Sequence, residues 1–235
     1  MNTSSNIGST NERLVCDLAT DLVPVRRLRP PGVRAFAWLA IVGATAVVLS
    51  VIADLSALGH RLAAAPDMWL SMAGSTLTAI LAAFAAFQLS LPDARRTWAL
   101  LPLPAAALWI AASGAGCLRT WFISGAHVAG LNEARDCLFF IVGFAVPLSA
   151  ILIFMLRRAY PLQPRLTALV AGLASAAAAA TLLNFFHPFD AAATDLVVHV
   201  FAVAIVIGAN WGFSGRLLAT NYLRNDVTRA VAGSN

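Results

Sequence analysis

At 235 residues the chain is long enough for one or two soluble domains, but 60% of it is hydrophobic, only 11% is charged, and its mean hydropathy is +0.78. A soluble domain carries about 25% charged residues, so a water-soluble fold is excluded. The net charge of +5 rests on arginine, since the chain has no lysine, and it points to contact with an anionic membrane face rather than to direct DNA binding.

The first predicted element is a helix in the leader, residues 1–34. Ser9 followed by Glu12 has capping-box spacing for a helix start. Leu14, Val15, Leu18 and Leu22 then recur at helical spacing and make one apolar stripe. Glu12, Arg13, Asp17, Thr20 and Asp21 fill the other face, and Cys16 reads as a packing residue. Pro24 ends or kinks the helix, Arg26, Arg27 and Arg29 follow, and Pro30-Pro31 makes a stiff joint to the next segment. No secretory signal peptide is expected in this polar stretch. A lone helix of about 14 residues is marginal in water, so the stripe needs a surface. The lipid interface, the bundle and a groove on a soluble partner are the three options. The acidic face matches an anionic leaflet poorly and favours the partner.

Six uncharged stretches follow, at 35–53, 68–92, 97–118, 138–156, 166–186 and 196–215. Each reaches the roughly 17–25 residues that cross a ~30 Å hydrocarbon core as a helix. The expectation is an all-α, polytopic membrane protein with six transmembrane helices over 35–219, a short N-terminal amphipathic helix and a tail at 220–235. Arg13, Arg26, Arg27, Arg29, Arg34, Arg95, Arg96, Arg157, Arg158, Arg165, Arg216, Arg224 and Arg229 fall on one side of such a bundle. Only Arg61, Arg119 and Arg135 fall on the other. The positive-inside rule then places both termini in the cytoplasm. Pro102 and Pro104 should bend the start of the third helix and Pro147 the fourth. Ala171–Ala180, and Ser113, Gly114 and Gly116, offer small surfaces for close helix approach. The six tryptophans are expected mostly at interfaces.

This topology brings Cys117, Cys137, His187 and His199 to one depth near the outer face, with Asp190 and Asp195 at the same level. Asp195 precedes His199 by one helical turn. His127, in an outer loop, could join them. Thiols and imidazoles backed by carboxylates suit a soft metal ion. A disulfide between Cys117 and Cys137, or plain packing, explains the same residues. Asp195 also serves as a helix cap, with Thr194 as the alternative. Haem ligation by His187 and His199 would call for deeper histidines on facing helices. No charge lies mid-span, which disfavours an ion or proton route. No nucleophile elbow, phosphate loop or carboxylate pair suggests an enzyme, and no cofactor is required.

The leader sequence "LVCDLATDLVPVRRLRPP" resembles that of NrsF-type proteins, which are six-helix inner-membrane anti-sigma factors. The stretches "RRTWALLPLPAAALWIAASGAGCL", "LRRAYPLQPRLTALVAGLA" and "LLNFFHPFDAAATDLVVH" extend the resemblance in the same order. The resemblance implies a bacterial inner-membrane protein with an extracytoplasmic-function sigma factor as its partner. The leader would bind that partner through Leu14, Val15, Leu18 and Leu22, with Arg26 and Arg27 pairing acids on it or lipid. It also implies release on a metal or oxidant signal at the outer face. Cys137 stands where the family has its first outer cysteine. His187, before Pro188, stands where the second would be, so a disulfide from the fourth to the fifth helix is in doubt. A small metal-handling transporter and a membrane redox subunit for haem or quinone are the alternative functions. The sequence leaves the oligomeric state open.

Overall fold

The computed structural model describes residues 12–17, 19–20, 28–64, 66–124, 131–159, 161–186 and 193–214. Among these residues every regular element is helical. The leader is helical at 12–17 and 19–20. The elements after it are α1 (Pro31–Ile52), α2 (Leu55–Ala64), α3 (Pro66–Leu89), a 3-10 turn (Arg96–Leu100), α4 (Leu103–Ser124), α5 (Leu131–Arg157), α6 (Pro164–Leu183) and α7 (Ala193–Ala209). A π turn (Asn210–Ser214) follows α7. Among the described residues, five helices are long and apolar enough to cross a membrane; the last apolar helical stretch, Val200–Phe213, is shorter.

Small side chains decide which helix sits at the centre. α6 is 78% buried over its apolar window, against 17% for α1. Apart from Leu173, every residue from Val170 to Ala180 is buried. Lipid tails supply no hydrophobic drive between helices, so close backbone approach must do the work. α3, α5 and α7 pack against α6, α4 packs on the far side of α3, and α1 lies on the outside of α3.

α3 and α4 come close beside Ser113, one of the small residues singled out in the sequence, rather than at Gly114. Gly114 meets nothing within 4 Å, whereas a Cβ added to Gly74 of α3 would lie 2.8 Å from the Trp109 backbone of α4. One turn away, the Ser71 and Ser113 hydroxyls meet at 2.8 Å. On the other side of α3, Thr181 of α6 donates to Ser75 Oγ at 3.0 Å.

A second polar contact joins α5 to the π turn. Asn210 is buried, Ser149 Oγ donates to its Oδ1 at 2.5 Å, and its Nδ2 donates to the Val206 carbonyl at 2.9 Å. Gly172 makes room for it, since a Cβ there would lie 3.0 Å from Asn210 Cβ. Interhelical hydrogen bonds in membrane bundles contribute about 0.6 kcal/mol on average and up to about 1.7. Ser149→Ala is therefore expected to lower the thermal midpoint of the detergent-solubilised chain only slightly, and less than any backbone clash does.

The prolines expected to bend helices stand at the start of α4 and inside α5. Pro102 lies in the short turn between the 3-10 turn and α4, Pro104 lies in the first turn of α4, and Pro147 lies inside α5. Two tryptophans differ from the expected interface role. Trp38 is fully buried, and Trp109 forms the wall against Gly74. The sequence reading also missed α2. Asp54 caps it, accepting from the Ala57 amide at 3.0 Å, and Leu58 and Leu62 pack against Met68 and Phe185.

Candidate functional site: an exposed leader and a thiol-bearing end

The leader contributes an apolar pair that the bundle does not cover. Leu14 and Val15 are 57% and 64% exposed on the helical stretch 12–17, and Cys16 is exposed beside them. Thr20 Oγ1 donates to the Asp17 carbonyl at 2.8 Å, which ties one turn of this stretch to the next. Leu18, Leu22, Arg26 and Arg27, the other predicted contact residues, lie outside the described residues.

The described end of the leader enters the bundle through two prolines. Leu28, Arg29 and Pro30 are exposed and non-helical, and Pro31 opens α1 at its first position, where a missing amide costs nothing. One turn on, Arg34 turns inward and is buried. Its guanidinium lies 4.9 Å from the centre of the Phe87 ring. It also donates to Ser90 Oγ at 3.5 Å and, through Nη2, to the Met155 carbonyl of α5. Ser90 in turn donates to the Phe87 carbonyl. An arginine held this way satisfies its fork on backbone and hydroxyl while its charge faces a ring.

At the opposite end, α5 begins with charged residues and then buries Cys137. Arg135 and Asp136 form an exposed pair at 3.7 Å, of a kind that contributes little. Cys137 is 4% exposed, in a cluster with Ile141, Leu183 of α6 and Ala202 of α7. The Phe140 ring centre lies 4.6 Å from that of Phe144 and 5.7 Å from that of Phe186. Of these rings, that of Phe186 directly precedes His187 in the chain.

The other predicted sensing residues are placed less fully. Cys117 is a helical residue of α4, and Asp195 and His199 lie in the first turns of α7; their side chains are outside the described residues. His127, His187 and Asp190 are outside them altogether. Among the described residues, no group of three or more histidine, cysteine or acidic side chains is arranged to hold a metal ion. The structure therefore joins Cys137 to Leu183 of α6 and Ala202 of α7, and the rest of the predicted cluster lies outside the described side chains.

A family model described as a negative regulator of sigma F matches residues 18–220. The chain belongs to the NrsF family. Members of this family regulate a sigma factor negatively, a role that requires no catalysis. No curated protein and no solved structure shows a significant match to the chain. The family match spans the second half of the leader, after Leu14 and Val15, and the whole bundle, so an NrsF protein combines a sigma-directed regulator with several apolar helices on one chain.

Proposed function

We propose that this NrsF protein is a membrane-bound anti-sigma factor. Its leader sequesters an extracytoplasmic-function sigma factor, and a metal or oxidant signal at the outer face releases it. The exposed Leu14–Val15 pair carries this reading: among the described residues it is a helical apolar surface without cover, on a segment too small to form its own core. Arg26 and Arg27 pair acids on the sigma factor or sit on lipid. In this reading the apolar stretch 193–214 completes six spans, and both termini are cytoplasmic in the inner membrane.

The arginines support that sidedness. Arg158 lies 5.4 Å from the Phe154 ring and Arg165 lies 5.7 Å from the Trp211 ring. Phe154 and Trp211 are themselves exposed. Cations over exposed aromatic rings suit an anionic, headgroup-level environment. The leader and these arginines share the end of the bundle that carries Arg34.

The test is capture of the sigma factor by the full-length chain in lipid nanodiscs, with the leader intact or altered. Failure of the intact chain to bind it would remove the reading. For the signal, Cys137→Ser and His187→Ala are each expected to reduce several-fold the release of target-gene expression by cadmium or diamide. Unchanged release in both variants would leave these residues a packing role only.

A further inference from the structure

α1 carries the leader, yet it is the least buried of the long helices. Its buried residues are Arg34, Ala35 and Trp38 near the leader, and Leu49 near the other end. Ala35 and Leu49 contribute packing alone. Among the described residues, Arg34 and Trp38 are the α1 side chains that hydrogen-bond to another helix. Arg34 donates to the Met155 carbonyl, and Trp38 Nε1 donates to the Leu148 carbonyl at 3.1 Å. Both acceptors are on α5. The two donors stand one turn apart on α1, and the two acceptors stand two turns apart on α5. The longer reach of arginine spans the difference.

The acceptors also have a particular position on α5. Leu148 directly follows Pro147, which lies inside the helix. Proline has no amide to donate to the Gly143 carbonyl, and its ring crowds that carbonyl, so the two halves of α5 are joined less firmly here. Cys137 lies on the first half; both carbonyls used by α1 lie on the second. From Cys137 to Met155 the helix covers ~27 Å at 1.5 Å per residue, most of a bilayer core.

We propose that Arg34 and Trp38 are positioning residues that fasten α1, and with it the leader, to the second half of α5. A change of angle at Pro147 then reaches the leader through these two side chains. Leu28–Pro30 runs directly into α1, and Pro30-Pro31 is stiff, so rotation or translation of the first turn of α1 moves the point at Leu28 from which the leader departs. This deepens the proposed function, because it concerns how the same leader is regulated.

The test uses the full chain in lipid nanodiscs. Cys117→Ser and Cys137→Ser leave Cys16 as the thiol of the leader, and Asp93→Cys adds one at the exposed turn after α3. Nitroxides on both thiols give the leader-to-bundle distance distribution by double electron–electron resonance. Pro147→Ala, which restores the missing amide, is expected to displace that distribution. Adding Arg34→Gln and Trp38→Phe is expected to abolish the displacement. A displacement of equal size with and without the two side chains overturns the proposal, and so does the absence of any displacement in the parent. If the combined variant does not fold, Trp38→Phe and Arg34→Lys are tested singly, and each is expected to reduce the displacement. No reduction in either overturns the proposal. Sigma-factor capture is read separately, so a leader that moves but binds nothing counts against the proposed function and not against this coupling.

Discussion

Capture of the sigma factor by the full-length chain is expected to collapse in the double variant Leu14→Asp, Leu18→Asp. Burying a leucine side chain in a groove contributes about 2 kcal/mol, so two lost anchors remove about 4 kcal/mol, which is roughly a thousandfold in Kd. The introduced carboxylates add a desolvation cost on top. The fold has little to lose at the position that can be checked, because Leu14 is 57% exposed. The thermal midpoint of the variant should therefore match that of the parent. Arg13→Ala, on the polar face of the same helix, is the matched control and should bind within a few-fold of the parent. Full capture by the double variant would move the binding surface off the apolar stripe.

The largest stability effect is expected at Gly74. An added Cβ meets the N and Cα atoms of Trp109 at 2.8 Å, and backbone of a neighbouring helix cannot step aside as a flexible side chain can. Gly74→Ala should cost about 3 kcal/mol, the upper part of the range for an overpacked core, and Gly74→Val more. Gly172→Ala should cost less, since its Cβ would meet Asn210 Cβ at 3.0 Å and the Ile207 Cα at 3.1 Å. Gly43→Ala has nothing within 4 Å, and the better helix propensity of alanine should make it neutral or slightly stabilising. Thermal midpoints of the three variants in one detergent give the order directly. A midpoint for Gly74→Ala equal to the parent's would mean that α3 and α4 do not cross at Gly74 and Trp109.

The helical class, the five long spans, the interior proline of α5 and the small-residue surface of α6 were legible because each is a local pattern. A run of uncharged residues, a single proline and a block of alanines carry their meaning within about twenty positions. The role of Arg34 was not legible in that way. In sequence it is one more arginine on the positive side, and only folding brings it to Phe87, Ser90 and Met155, as much as 121 positions away. Trp38 misled for the same reason: an indole near a span end suggests an interface, whereas its partner is the distant Leu148 carbonyl. α2 was missed because ten residues with three leucines were read as a loop, although Asp54 at its start is a cap signal. At the candidate site, the apolar stripe was visible from its spacing, and Leu14 and Val15 are found helical and exposed. The thiol-bearing end was visible only as a shared depth. Depth alone does not say which side chains touch, and Cys137 is found among aliphatic residues of α6 and α7.

The alanine-rich face of α6 also bears on how easily the helices around it rearrange. Alanine has no rotamers to freeze, so ordering this face costs almost no side-chain entropy. It also raises no interlocking ridges that a neighbour must climb over. In a small sliding of packed helices, such a face leaves few side-chain torsions to reset, and a contact of α3 that a slide would have to break is the Thr181–Ser75 hydrogen bond. A smooth axle at the centre suits the proposed function, in which one end reports to the other.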